Sequence, residues 1–482
     1  MLLYSILEGV MFLKKLSELY NINDDRLIKD IKINSKEIEP GDLFVCTMGV
    51  TADRHDFIDE AIEKGASAIV VSREVGKKSV PIIKVDDTNL ELRKICAKFY
   101  DYPCDKVYMI GVTGTNGKTT VAEIIYQLLG ENSAYIGTNG RKYKNKHYSM
   151  LNTTPDVDRL YKYFREFVEE ACNTICMEAS SESFYRHRLD DIRYDIGIVT
   201  VITEDHLNIH KTIENYVDCK CQLVRQVKED GYSILNSGDK YFEKFKKEAK
   251  GNIVSYGFLD SDTLKIESYT LKRNETIISF KYKDKYYEVI SPLLGSFNVL
   301  NLAAAVLCLL CKGISFTEIV KRVRDLKQIE GRMEILPFTD KYTVVLDYAH
   351  TPDALDNILT FLNMVKENRI ITVTGSAGGR ESTKRPEMGK IVLEKSDYAI
   401  FTMDDPRNED PNKIIDDLVS RSDKKNYERI VDRKEAIYKA LDMAKDKDII
   451  LIAGKGRDNY MAVLDKYLPY CDYDVIKNYY EQ

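Results

Sequence analysis

Residues 107–120 read VYMIGVTGTNGKTT, an apolar run of strand character that enters a glycine-rich turn and leaves through Lys-Thr-Thr into the helical pattern VAEIIYQLL. Backbone N–H groups of such a turn, with the positive end of the following helix, form a cradle for phosphate oxygens. Lys118 is placed to neutralise β/γ-phosphate charge, and the hydroxyl of Thr119 to hold Mg2+. The longer phosphate-loop pattern asks for glycine at position 112, which is Val112 here, so the match is to the shorter Gly-Thr-x-Gly-Lys-Thr form. Gly-Lys-Thr alone also occurs as an ordinary turn. The strand before it and the helix after it make this one a phosphate site.

A chain of 482 residues is long enough for about three domains, each with its own core. Its 71 basic and 77 acidic residues, net −6, argue against a general nucleic-acid binder and leave acidic small substrates to local basic groups. Ten cysteines are scattered along the chain. Cys308-x-x-Cys311 has zinc-like spacing but lies in AAAVLCLLCKG with no second pair nearby, so a buried helix face is expected there. The opening MLLYSILEGVMFLKKL is apolar, but Glu8 interrupts it and no cleavage site follows. The expectation is a start-region helix in a cytoplasmic protein, with neither a signal peptide nor a membrane span.

Taken in order, residues 1–102 read as a small α/β domain. The turn signal Pro40-Gly41 follows INSKEIE, DFIDEAIEKG predicts a helix ending at Gly65, and PIIKV predicts a strand before the helix NLELRKICAKFY. Ser35 and the polar loop from Met48 to His55 are available to line a site. After the phosphate loop, one apolar strand ends at Glu178 and a second is expected to run to Asp205-His206. Polar residues at the C-terminal ends of parallel strands face the ligand crevice, so Glu178 and His206 are candidate metal ligands. Lys220 falls midway along the helical pattern TIENYVDCKCQLVRQV, where a solvent-facing lysine is the ordinary expectation. Residues 231–290 alternate short strands with polar turns and suggest antiparallel pairing, including the hairpin TIISFKYKDKYYEVIS. Asn298 and Asn301 are neighbours on the first turn of the apolar helix after LLGSF. Capping would account for one of them, and contact with a base for both. From residue 333 strands and helices alternate again, with Pro352 in a first helical turn and three strands ending in glycine-bearing loops, the pattern of a second doubly wound domain.

The segments GTNGKTT, TTPD, MEASS, DHLNIH, Tyr216-x-x-x-Lys220, GSFNVLN, GRME, DYAHTPDAL, KRPEMG, DDPRNEDP and AGKGR, in this order, resemble the Mur ligase family, in its branch that adds a diamino acid. The likeness extends to SKEIEPGDLFVCTMG and GASAIVV, and so covers nearly the whole chain. It implies an α/β protein of three domains: a uridine-nucleotide domain over 1–102, a central P-loop ATPase-like domain over 103–332 and a C-terminal Rossmann-like domain over 333–482. It also implies a reaction of peptidoglycan biosynthesis. ATP phosphorylates the γ-carboxylate of UDP-N-acetylmuramoyl-L-alanyl-D-glutamate, and the amine of a diamino acid attacks the acyl phosphate. A carboxylate and a triphosphate repel each other, so such a site needs divalent metal and cations to align them.

By that resemblance Gly114, Thr115, Asn116, Gly117, Lys118, Thr119 and Thr120 cradle ATP. Asn298 and Asn301 lie at its base, while Arg332, Asp347 and His350 close over it. Thr119 and Glu178 match the ligands of one Mg2+, Glu178 and His206 those of another. Lys220 matches a lysine carbamylated by CO2, which converts a cation into an anion suited to Mg2+. Ser35, Thr153, Thr154, Ser180 and Arg188 match contacts to the UDP-muramoyl dipeptide. Arg380, Asp404, Asp405, Arg407, Gly454 and Asp458 fall where the family binds its amino acid. Three positions depart from the family pattern: Gly379 replaces an acidic residue, Asp458 a glutamate, and Val201-Ile202-Thr203 the usual approach to Asp205-His206. The family would act here as a monomer, without nucleic acid or membrane insertion. Two other classes compete: a related amide ligase of the folylpolyglutamate or cyanophycin type, and a degenerate Mur-like regulator. The uridine-domain likeness and DDPRNEDP oppose the first; the intact Lys118, Glu178, His206 and Lys220 oppose the second. Arg407 favours meso-diaminopimelate, whose far end carries a carboxylate that an arginine fork can hold. Asp405 and the loop GSAGGRESTKRPEMG point instead to L-lysine, which stays as the alternative.

Overall fold

A computed structural model describes residues 12–49 and 52–481. Its described residues form two compact units. One contains the chain up to Met109 together with Thr154–Ile175 and Ser183–Arg193, and the other contains Ile110–Thr153, Cys176–Glu182 and the chain from Tyr194 onward.

In the first unit the strands Ile31–Lys32, Leu43–Val45, Ala68–Val71 and Ile82–Lys84 pair in parallel, in that order. Leu43–Val45 and Ala68–Val71 are wholly apolar and buried, as a parallel sheet covered on both faces requires. The helix Thr88–Phe99 starts at Asp87, whose carboxylate accepts from the N–H groups of Asn89 and Leu90. Most of the expected start-region helix lies outside the described residues. From Lys14 the chain forms a two-residue strand and then the single turn Leu16–Leu19. Residues 50 and 51 of the polar loop also lie outside. At its end His55 is buried, with Nδ1 2.6 Å from an Asp53 oxygen and Nε2 accepting from the Ser72 N–H at 3.0 Å.

Among the described residues the central sheet has eleven strands, with Tyr108–Thr113 flanked by Thr174–Glu178 and Tyr194–Val199. Two expectations are corrected here. The strand expected to reach Asp205-His206 stops at Val199, because its neighbour stops at Thr113 and turns into the phosphate loop. Val201 instead crosses that loop, its carbonyl accepting from the Thr115 N–H at 2.7 Å. The pairing expected to be antiparallel is parallel for Val227–Asn236 and Asn252–Gly257. Helices Ile213–Arg225 and Phe242–Glu248 precede these strands and supply the crossovers that parallel neighbours need. On this side the sheet becomes antiparallel beyond Leu264, with Thr276–Tyr282 and Lys285–Ser291 forming the expected hairpin, as it is at its other edge among Ser133–Gly137, Gly140–Tyr143 and Lys146–Tyr148.

The helix Ser296–Cys311 is buried along nearly its whole length, Cys308 included. No disulfide joins the described cysteines; six are buried and four half-buried. The C-terminal sheet runs Glu334–Leu336, Thr343–Asp347, Ile449–Ala453, Ile370–Thr374, Tyr398–Phe401 and Tyr427–Arg429. All its pairs are parallel except the first. Four of its strands therefore deliver Asp347, Gly375, Asp404 and Gly454 to one edge. Among the described residues no helix is long and apolar enough to cross a membrane.

Candidate active site

The phosphate loop is shaped by two glycines. Gly114 has φ +147° and Gly117 φ +89°, and a Cβ on them would lie 1.8 Å from Thr200 Oγ1 and 2.4 Å from Asn301 Oδ1. No other residue fits either position without displacing a neighbour. Thr115 Oγ1 donates to the Thr203 carbonyl at 2.9 Å and lies 2.9 Å from the Tyr216 hydroxyl. Asn116 Nδ2 donates to Asp353 Oδ2 at 3.1 Å. Lys118 folds back on its own loop, Nζ donating to the carbonyls of Gly114 (3.0 Å) and Thr115 (2.9 Å). Burial lowers its pKa, against the pull of Glu178. Thr120 is buried in the first helical turn. Asn298 Nδ2 donates to the Leu294 carbonyl at 2.7 Å, and Asn301 Nδ2 to Asn298 Oδ1 at 3.0 Å. The asparagine pair is thus one linked unit packed behind Gly117.

Glu178 is fully buried at the end of its strand. Its Oε2 accepts from Thr119 Oγ1 at 3.0 Å, and its Oε1 from the Tyr135 hydroxyl at 2.7 Å and the Thr138 N–H at 2.8 Å. Lys220 is not the solvent-facing lysine its helix pattern suggests: it is 1% exposed, and Nζ donates to the Gly114 carbonyl at 2.6 Å. Burial, reinforced by the charge of Lys118, pushes its pKa far below the lysine range. The correction is one of helix face, since Tyr216, Val217, Cys221 and Val224 turn the same side inward. His206 sits in a left-handed conformation, φ +57°, and its pKa falls to about 4 through burial and the charges of Arg380, Lys220 and Lys118, opposed by Asp205. Among the described residues no three His, Cys, Asp or Glu side chains converge to hold a metal. A cation here would have to use hydroxyl, modified lysine or phosphate oxygens as well.

The C-terminal sheet reaches this loop. Arg332 Nη2 donates to Thr119 Oγ1 at 3.0 Å, its guanidinium lying 4.6 Å from the Tyr348 ring centre. Asp347 accepts from the N–H groups of Met333 (2.6 Å) and Ala349 (2.7 Å), and so shapes the chain on both sides of its strand. His350 Nδ1 lies 2.8 Å from the Tyr348 carbonyl, and burial holds its pKa near 3, with Lys384 adding to the shift. Arg380 Nη1 lies 3.4 Å from His206 Nδ1, and Lys384 Nζ 3.7 Å from Asp205.

Asp404, Asp405 and Asp458 gather around a residue that sequence reasoning passed over. Lys455 is 1% exposed, with Nζ 2.8 Å from Asp405, 3.8 Å from Asp404 and 3.9 Å from Asp458. A lysine between two glycines reads as solvated; its place at the end of the apolar strand DIILIAG was the available signal. Burial raises the pKa of Asp458 to about 7, the attraction of Lys455 being offset by Asp404 and Asp405. The Gly454 N–H donates to the Asp347 carbonyl at 3.1 Å. Arg407 Nη1 donates to the Gly378 carbonyl at 3.2 Å, and among the described residues no carboxylate pairs with it.

The residues expected to meet the nucleotide-peptide are divided between the units. In the first, Ser35 Oγ donates to Glu60 Oε2 at 2.6 Å, and Arg188 donates to the Thr154 carbonyl at 3.1 Å and pairs with Asp156 at 2.9 Å. In the second, Thr153 Oγ1 lies 3.1 Å from Thr138 Oγ1, and Ser180 is half-buried just past Glu178. Tyr135 and Thr138, which fix Glu178, were also missed, because their strand carries no local sign of its partner.

Three profiles match in order: the Mur ligase family catalytic domain over residues 27–100, the Mur ligase middle domain over 112–309 and the Mur ligase glutamate ligase domain over 331–456. The chain is 35% identical over 459 residues to a UDP-N-acetylmuramoyl-L-alanyl-D-glutamate–2,6-diaminopimelate ligase of Bacillus cereus, covering 93% of each. It is 37% identical to the protein of the same name from Aquifex aeolicus, again over 93% of each. A solved structure with that name superposes with a TM-score of 0.67 at 26% identity, over 97% of this chain and 99% of the other. A MurF ligase of Thermotoga maritima in complex with ADP gives 0.67 at 22% identity, over 88% and 93%, a likeness of fold. The chain belongs to the Mur ligase family.

Proposed function

We propose that the protein is the ligase that uses ATP to join meso-diaminopimelate to UDP-N-acetylmuramoyl-L-alanyl-D-glutamate, working as a cytoplasmic monomer in peptidoglycan synthesis. The observation that carries this reading is the meeting of Lys118, Glu178, Lys220 and Arg332 at one phosphate loop, with His206 and Arg380 in contact beside it. The names of the relatives support the substrates. We assign the uridine-nucleotide domain to 1–102, the ATP-binding domain to 103–332 and the amino-acid domain to 333–482.

In this reading residues 114–120 hold the triphosphate, Asn298 and Asn301 back the loop near the base, and Asp347 and His350 shape the chain that brings Arg332 over the phosphates. Lys118 and Arg332 stabilise charge on the phosphoryl group as it passes to the substrate carboxylate. Ser35, Thr153, Thr154, Ser180 and Arg188 hold the UDP-muramoyl dipeptide. The donor set fits Mg2+: a buried carboxylate and a hydroxyl meet at 3.0 Å, and hard oxygen ligands suit that ion. Thr119, Glu178, His206 and a carbamate on Lys220 would hold it, and it would supply neutralisation of phosphate charge. Lys220 suits carbamylation because burial favours its neutral amine, the form that adds to CO2. At the other side Arg380, Asp404, Gly454 and Asp458 hold the incoming amino acid and keep its amine aimed at the acyl phosphate, while Arg407 reads the carboxylate at its far end. The test is phosphate release by the purified protein with ATP, Mg2+ and the UDP-muramoyl dipeptide against a panel of amino acids. Release should require the dipeptide and be fastest with meso-diaminopimelate; release without either substrate would refute the reading.

A further inference from the structure

Asp405 poses a conflict in the amino-acid site. It lies two residues before Arg407, where an added negative charge would weaken the pull on a carboxylate and favour the lone ammonium of lysine. The side-chain contacts remove that conflict. Asp405 Oδ1 accepts from Lys455 Nζ at 2.8 Å and from the Ala462 N–H at 2.9 Å, and both Asp405 and Lys455 are buried. Two opposite charges in hydrogen-bond contact cancel at a distance, leaving a dipole whose field falls off faster than that of either ion. Asp404 and Asp458 lie 3.8 and 3.9 Å from the same Nζ, attracted by its charge but beyond hydrogen-bond reach, so neither uses an acceptor on it and both can accept from a ligand ammonium. Lys455 itself is held from below. Its strand carries the Ala453 carbonyl, which accepts at 3.0 Å from Arg433, a buried side chain paired with Asp472 at 2.7 Å.

We infer that Lys455 is a specificity-determining residue of the ligase reaction: by neutralising Asp405 it leaves Arg407 as the unopposed charge that meets the far end of the incoming diamino acid. The inference rests on the ligase reading and adds to it a residue outside the set that meets substrate. It divides the labour in the amino-acid site. Arg407 takes the far-end carboxylate, Asp404 and Asp458 hold the amine that is aimed at the acyl phosphate, and the Asp405–Lys455 pair takes neither.

The experiment measures the ratio of kcat/KM for meso-diaminopimelate to that for L-lysine in wild type, Asp405→Asn, Lys455→Met, Lys455→Arg and the double variant Lys455→Met with Asp405→Asn. Asp405→Asn should leave the ratio within about two-fold of wild type, whatever the absolute rates, since the charge it removes is already cancelled. Lys455→Met should lower the ratio about ten-fold or more by uncovering Asp405, and adding Asp405→Asn should restore it. Lys455→Arg should keep it. A ten-fold rise in the ratio for Asp405→Asn, or an unchanged ratio in Lys455→Met, overturns the inference. If Lys455→Met fails to fold, the Asp405→Asn and Lys455→Arg ratios decide it. No turnover with either amino acid in wild type would refute the ligase reading alone, and the affinity ratio from calorimetry on the same variants would then decide the role of Lys455.

Discussion

Half-buried Lys118 and buried Lys220 both donate from Nζ to the carbonyl of Gly114, and the charge of Lys118 adds to the burial that lowers the pKa of Lys220. Their replacements should separate. Lys118→Ala is expected to keep its circular dichroism while kcat falls about a hundred- to thousand-fold, the usual loss when a charge-stabilising donor is removed. Unchanged turnover would take the loop out of the mechanism. Lys220→Ala should lose ligation and recover part of it when short carboxylates are added, because they supply the lost oxygens. Full activity without additives would exclude the carbamate. Asp458 predicts a pH effect. Its folded pKa of about 7 stands above the ordinary 3.8, so the folded state retains a proton that the unfolded chain releases. The stability this provides is complete below about pH 4 and is lost as pH rises towards about 7. Asp458→Asn should therefore raise Tm by several degrees at pH 8 and hardly at pH 4, as read by calorimetry.

Among the elements, the segment before Arg332 is held from the central sheet. Lys142, on the strand Gly140–Tyr143, pairs with buried Glu123 of the phosphate-loop helix at 2.6 Å and with Glu330 at 3.3 Å. Asn139 Nδ2 donates to the Glu330 carbonyl at 3.0 Å, one residue after Thr138 meets Glu178. Lys142→Ala leaves Glu123 buried without a counter-charge, with only the Asn139 amide donating to it among the described residues, and should cost about 3 kcal/mol of stability in denaturant melts. A double-mutant cycle with Glu330→Gln should show coupling between the two residues; additive effects would mean that the Lys142–Glu330 contact carries nothing. The phosphate loop was legible in the sequence because strand, turn and helix lie side by side in fourteen residues and glycine is irreplaceable in its turn. The pairing of Val227–Asn236 was not, because an alternating strand looks alike in either direction until its crossover helix is placed. Nor were Lys142, Tyr135 and Lys455, whose partners are distant in the chain.

At the scale of the molecule, Arg332, Asp353, Arg380 and Lys384 all bring the C-terminal domain against the phosphate loop and its neighbours. If these contacts close over a bound nucleotide, scattering should show a smaller radius of gyration with an ATP analogue and dipeptide than without. An unchanged radius would make the closed form the resting one. The ten cysteines bear on a more local opening. None of them is exposed; burial pushes Cys46, Cys221 and Cys311 up to about 12 and Cys96, Cys176 and Cys308 well above the ordinary thiol range. Only a thiolate attacks an electrophile, so these six sulfurs react slowly with alkylating agents in the folded chain and faster when their surroundings part. The protein thus carries its own timers. A pulse of iodoacetamide followed by peptide mass spectrometry would date the parting at Cys46 and Cys96 in one unit separately from that at Cys176, Cys221 and Cys308 in the other.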